Sequence, residues 1–237
     1  MGIVDGTLFV LKEKLALDRV DSAAYFNYRK QRYGFQATII CDDEKCITKF
    51  NCTFPGSVHD ARAWRNMNIA QNPHQYLQSN EYLIADSAYP LNQYTIVPFK
   101  RPPNSQLPKS KRIFNERLSG LCVSVEHCIG QLKARFPSLR GLPHRIRNDR
   151  DVGSCLQWIG SCVILHNLLL DLDNEIEPCW EQPDDLGSYN EEDDRDGEGE
   201  TAANEDMDYA LSGKRKRDAL YNAIIEEYNN ENEYESN

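Results

Sequence analysis

The stretch Gly2-Ile3-Val4-Asp5-Gly6-Thr7-Leu8-Phe9-Val10 decides the fold. An apolar run delivers one carboxylate, Asp5, and a glycine follows at once, as when a buried strand presents an acid at the working edge of a sheet. Asp-Gly is also a favoured hairpin-turn dipeptide, so the stretch takes its weight from two later acids. Asp86 closes the apolar run Tyr82-Leu83-Ile84-Ala85. Glu126 stands in a long segment where Leu118, Leu121, Val125, Ile129, Leu132 and Phe136 recur at three- and four-residue steps, the signature of an amphipathic helix. Glu126 follows a member of that stripe and so lies at its margin. Three acids on two strands and a helix are the set that a two-metal phosphodiester site requires.

Working outward, Tyr33–Cys41 and Cys46–Phe54 are rich in β-formers and read as a hairpin turning at Asp42-Asp43-Glu44-Lys45. Ahead of them stands an aromatic and basic stretch, Tyr25-Phe26-Asn27-Tyr28-Arg29-Lys30-Gln31-Arg32. Pro55-Gly56-Ser57 breaks the pattern, and Asp60 to Asn68 reads as a helix with Ser57 or Asp60 available as its cap. A short strand, Tyr94–Phe99, precedes a proline-bearing loop over 100–112, where Lys100, Arg101, Lys109, Lys111 and Arg112 meet no acid. A basic connector after Pro137 leads to a last helix from Val152 to Leu170, with Asp151 as its expected cap. Apolar residues cover most of that helix, so burial is expected.

Charge divides the chain. The net of −10 conceals +8 on residues 1–170 and −18 on residues 171–237, where 23 acids face five bases. A basic globular part implies a polyanionic partner, which the whole-chain value alone would have argued against. The tail beyond 171 is expected to be acidic and mostly disordered, because its composition offers too little apolar surface to offset chain entropy. Within it, Lys214-Arg215-Lys216-Arg217 suits a nuclear import signal, and residues 219–225 suit a short helix. The eight cysteines form no CxxC pair and read as reduced, mostly buried thiols, which places the chain in cytosol or nucleus. No stretch is read as a membrane span, and no membrane partner is expected.

Asp5-Gly6-Thr7, Pro55-Gly56-Ser57-Val58-His59-Asp60, Asp86-Ser87-Ala88-Tyr89-Pro90, Val125 to Phe136 and Leu165-His166-Asn167 together resemble the successive motifs of PIF/Harbinger-type DDE transposases. The resemblance covers about residues 2–170, in the family's order. It implies an α/β fold: a ribonuclease H-like mixed sheet of about five strands flanked by helices, forming one catalytic domain over 1–170. It implies cleavage and transfer of DNA strands with Mg²⁺ or Mn²⁺, two ions held by Asp5, Asp86 and Glu126 as catalytic and metal-binding residues. Leu8 stands where the family often has histidine. The helical DNA-binding region that precedes this strand in the family does not precede it here, so DNA specificity is expected from a separate partner protein.

For contacts to the DNA backbone the candidates are Lys133 and Arg135 on the long helix, with Lys111 and Arg112 before it. Asp60 is expected to serve as a cap or structural acid rather than a ligand, and His59 and His166 as hydrogen-bonded structural histidines. The nucleus is the expected compartment, and homo-oligomerisation stays open. Two other readings compete. One is a catalytically silent nuclear module that keeps the fold for binding DNA or protein. The other is a ribonuclease H-like nuclease acting on RNA or hybrids.

Overall fold

A computed structural model describes residues 2–16, 22–103, 105–170 and 205–234. Its centre is a mixed sheet built from β1 (Gly2–Val10), β2 (Phe26–Asn27), β3 (Arg32–Cys41), β4 (Ile47–Pro55), β5 (Leu83–Ile84) and β6 (Thr95–Ile96). The strand order is β2-β3-β1-β5-β6, with β4 also pairing β3. β3 pairs antiparallel with β1 and with β4, the latter through the turn after Cys41, whereas β5 joins β1 and β6 joins β5 in parallel. This is the expected α/β mixed sheet flanked by helices, and the first strand lies beside and parallel to the strand leading to Asp86.

Helices cover both faces. α1 (Asp60–Arg65) and α2 (Asn68–Gln71) lie on one side, where Trp64, Met67 and Ile69 bury against Val4, Ile40, Leu83 and Ala85. On the other side lie α3 (Lys109–Arg135) and α4 (Asp149–Leu170). Val125, Cys128, Ile129 and Leu132 of α3 and Cys155, Ile159, Cys162 and Val163 of α4 close over Ile3, Phe9, Phe35 and Ile39. Of the stripe read from the sequence, Leu118, Val125, Ile129 and Leu132 are buried, Phe136 is half-buried, and Leu121 is exposed. The helix begins earlier than the loop expected over 100–112 allowed, because Phe114 and Leu118 find a second apolar cluster with Ile84 and Ile96.

Two expected caps are replaced. His59 precedes α1 without a side-chain cap bond, and neither Ser57 nor Asp60 caps it. At α4 the cap is Asn148, whose Oδ1 accepts from the N–H groups of Arg150 and Asp151 at 2.9 and 3.1 Å. Asp151 instead accepts from the Arg147 N–H at 2.9 Å. Asn side chains also serve as detached strand partners. Asn167 exchanges two 2.9 Å hydrogen bonds with the backbone of Ile47, tying α4 to the start of β4. Asn115 does the same for Phe99. α4 is long and apolar enough to cross a membrane by length and composition alone, contrary to the reading above; the burial expected around it holds for one face only, and Ile164, Leu165 and Leu168 are exposed.

The expected disorder of the tail is corrected over its last part. Residues Glu205–Tyr234 form a 30-residue helix, α5. Leu220, Tyr221 and Ile224 pack on the Ile84/Phe114 cluster, and Tyr221 meets Phe99 and Phe114 edge-on at 5.6 and 5.9 Å. Lys216 Nζ donates to the carbonyls of Ser79 and Glu81, and the Arg217 guanidinium lies 4.1 Å from the Phe99 ring centre. Half of the basic run thus faces inward, leaving Lys214 and Arg215 exposed. The expectation for 171–204 lies outside the described residues. All seven described cysteines are free thiols, five of them buried.

Candidate active site

Strand alternation sets which way each acid faces. On β1, Ile3 and Phe9 belong to the core under α3, Val4 to the core under α1, and Thr7 receives a hydrogen bond from Lys133 of α3. Asp5, between Ile3 and Thr7, therefore faces α3. On β5, Ile84 meets Phe114 and Leu118 of α3 while Leu83 and Ala85 face α1, so the alternation carries Asp86 to the α3 side as well. The parallel register pairs Ile3 with Ile84. Asp5 and Asp86 thus occupy equivalent positions two residues beyond that pair. Glu126 stands exposed on α3 next to buried Val125.

Cys122, one turn before Glu126, reports the resulting field. Burial, and then the carboxylates of Asp5, Asp86 and Glu126, push its thiol up to about 12. Asp5 itself is pushed up to about 7, first by burial and then by Asp60, Asp86 and Glu126, against the lowering effect of the Gly6 N–H that donates to its Oδ1 at 2.7 Å. Asp86 accepts from the Ala88 N–H at 2.8 Å.

Asp60 belongs to the opposite face. It begins α1, takes a hydrogen bond from Gln36 Nε2, and lies against the Cα of Gly6, where any Cβ would overlap its carboxylate. The Gly after Asp5 is thus explained by close approach rather than by a turn. Burial raises the Asp60 carboxyl, with Asp86 adding to this and Arg29, Lys30 and His59 opposing it. Tyr89, 3% exposed, packs edge-on to Trp64 and finds no hydrogen-bond partner for its hydroxyl among the described residues. Burial and the charges of Asp60, Asp5 and Asp86 raise its phenol far above the ordinary range. Neither Asp60 nor Tyr89 could be placed from spacing alone, since both positions depend on the pairing of β1 with β3 and β5.

The basic candidates divide. Lys133 Nζ donates to Thr7 Oγ1 at 2.7 Å and to the Leu8 carbonyl at 3.2 Å, and lies 5.4 Å from the Phe9 ring centre. Burial, with Lys30 and Arg140 nearby, pushes it down to about 7, and Asp5 works the other way. It holds α3 to β1 beside the acids. Arg135 donates through Nη1 to Nδ1 and the carbonyl of His166. That leaves the imidazole proton on Nε2, 3.3 Å from the Lys45 carbonyl, so His166 is the buried structural histidine expected. Lys111 stacks on Phe99 at 4.7 Å, and Arg112 is exposed. His59 is exposed as well.

Among the described residues, no three His, Cys, Asp or Glu side chains are drawn together as tightly as a coordinated ion requires. The donor chemistry nevertheless fits a hard divalent cation. The donors are carboxylate oxygens, and burial together with the repulsion of the neighbouring carboxylates, which raise the Asp5 carboxyl, is what a bound cation offsets.

Residues 4–167 match the family described as DDE superfamily endonuclease. Among curated proteins, the chain is similar to Protein ALP1-like of Arabidopsis thaliana, 29% identical over 110 residues, which cover 44% of this chain and 25% of that protein. The match thus spans about a quarter of the length of this curated relative. No solved structure matches the chain.

Proposed function

The chain belongs to the DDE superfamily endonuclease family, and from that premise we propose that it hydrolyses DNA phosphodiester bonds with divalent metal ions, as the catalytic part of a transposase-derived nuclease and strand transferase. The observation that carries this reading is the shared face: Asp5 and Asp86 at equivalent positions on adjacent parallel strands, beneath the helix that bears Glu126. These three would hold Mg²⁺ or Mn²⁺. When bound, two such ions activate an attacking water and stabilise the leaving oxygen.

The chain's own groups prepare that arrangement. The Gly6 N–H fixes one oxygen of Asp5, and the Ala88 N–H fixes one of Asp86. Lys133 clamps β1 to α3 and so sets how far Glu126 stands from the strand acids. Asp60 supports the Asp5-Gly6 backbone from behind. DNA is the proposed substrate, the nucleus the place of action, and a separate DNA-binding protein the source of target choice.

Supercoiled plasmid incubated with Mg²⁺ or Mn²⁺ should be nicked by the native chain and not by Asp86→Asn. Equal nicking by both would assign the activity elsewhere. Folded protein that binds DNA but never nicks it would favour the silent binding module.

A further inference from the structure

The aromatic and basic stretch before β3 has no part in the site as described, yet the fold fixes it beside the acids. Phe26 and Asn27 pair with Tyr33 and Arg32, so Tyr28-Arg29-Lys30-Gln31 forms the turn of a short hairpin. The turn is built rather than loose. Asn27 Oδ1 accepts from the Lys30 N–H at 2.9 Å, and Gln31 adopts φ 52 to complete it. Phe26 packs against Tyr28 and Tyr33 at 5.1 and 4.9 Å between ring centres. Asn27 Nδ2 donates to the Gly56 carbonyl at 2.8 Å, and the Ser57 N–H donates to Ala24 at 3.0 Å. A Cβ on Gly56 would come within 2.7 Å of the Tyr25 carbonyl, so the two chains touch directly. The hairpin is thereby seated on the segment that leads into His59 and Asp60.

What the hairpin presents is cationic and aromatic. Arg29, Lys30 and Arg32 are exposed, and among the described residues none of them forms an ion pair. Tyr28 is 69% exposed, the largest value among the exposed large apolar and aromatic side chains of the described residues. Arg29 and Lys30 lie close enough to Asp60 to favour its ionised form, and Lys30 lies close enough to Lys133 to disfavour its charge. One turn therefore reaches towards both sides of β1. Along the strand, Asp5 stands five residues from Val10, which pairs with Gly34 at the hairpin end. At about 3.4 Å per residue that is roughly 17 Å, about half a helical turn of duplex DNA.

We propose that this hairpin is the nucleic-acid clamp of the site: Arg29, Lys30 and Arg32 neutralise backbone phosphates flanking the scissile bond, and Tyr28 offers its ring to an unpaired base. Of the alternative bases on α3, Lys133 and Arg135 are engaged within the fold and Lys111 lies on the Phe99 ring, whereas Arg112 is exposed. A free cation beside a carboxylate site counters the repulsion that the acids would exert on an incoming phosphate. A rigid turn lets it do so without an ordering cost at binding. The inference rests on the nuclease reading for its substrate, but its test does not need catalysis.

The experiment is fluorescence anisotropy with a labelled short duplex and the matching single strand, in chelator, across a salt series. Arg29→Ala with Lys30→Ala should weaken duplex binding about tenfold per lost phosphate contact at low salt. It should also flatten the slope of log affinity against log salt by about two, since each contact contributes about 0.9. Tyr28→Ala should weaken single-strand binding about 5- to 100-fold and leave the slope unchanged, as loss of one stacking partner does. The charge-matched control, Arg147→Ala with Arg150→Ala, should bind nearly as the native chain does. No binding by the native chain, unchanged affinity and slope in the hairpin variant, or an equal loss in the control would each overturn the clamp. The plasmid assay separates this outcome from the reaction itself. Native protein that binds through the hairpin yet never nicks keeps the clamp and drops the nuclease. Native protein that nicks while its hairpin variants bind unchanged does the reverse.

Discussion

Asp5 holds its proton to about pH 7 because burial and three neighbouring carboxylates disfavour its charge. In the unfolded chain an aspartate titrates near about 3.9. The folded pKa is raised, so the stability this group contributes is fully present below about pH 4 and is lost as pH rises through about 7. The full shift corresponds to on the order of 4 kcal/mol. In chelator, Asp5→Asn should therefore melt higher than the native chain at pH 8, with the gap closing towards pH 4. A constant gap across that range, or a lower melting point at pH 8, would show that Asp5 is not held protonated. Divalent ions should reverse the ranking by stabilising only the native aspartate. Asp5 and Asp86 were legible because an acid ending an apolar run is conspicuous in one dimension. Asp60 was not, since its place depends on a glycine on another strand lacking a Cβ. Lys133 reads as one more surface base until α3 is laid across β1, where it becomes a clamp.

At the scale of elements, period-3.6 spacing locates most of the core face of α3, and β-rich runs locate β1, β3 and β4; on α4, apolar almost all round, no spacing marks which side is buried. β5 and β6 are harder to delimit, because each contributes only two ladder residues. α5 escapes a periodicity reading for a different reason. Its composition is polar, and its seat is made by three apolar side chains together with two cations lying on aromatic rings, which hydrophobic patterns do not count. The docking is testable. Tyr221 completes a triangle of edge-on rings with Phe99 and Phe114, which stand 5.2 Å apart. Tyr221→Ala should cost about 2 kcal/mol, below the range for a fully buried aromatic because Tyr221 is half-buried. That should lower the melting point by several degrees. Lys216→Ala should act in the same direction by stranding the Ser79 and Glu81 carbonyls. If neither variant shifts melting, α5 is not part of the cooperative unit.

The molecule as a whole carries opposed charges on one chain. Residues 1–170 hold a net +8, residues 205–237 a net −5, and the connecting residues 171–204 a net −13, with 14 acids and one base. Because α5 is docked on the core, the two ends of that acidic connection are both held to the basic part. Charges on a segment tethered at both ends beside a phosphate-binding surface act there at high effective concentration. An acidic segment so placed competes with DNA for the same cations, and the competition is electrostatic on both sides. Deleting everything beyond 171 would confuse this effect with loss of α5, so the informative variant replaces 171–204 with an uncharged Gly/Ser/Asn linker of equal length. At low salt that variant should bind duplex more tightly than the native chain. The advantage should shrink as ionic strength rises and the Debye length contracts to about 8 Å near physiological salt. In the variant carrying both the neutral linker and the Arg29→Ala and Lys30→Ala changes, the gain should be smaller, because part of the contested surface is gone. The measurement is the same anisotropy titration, with melting curves confirming that α5 remains seated. Affinity that is unchanged by the neutral linker at low salt would mean that the acidic connection and the DNA surface do not meet.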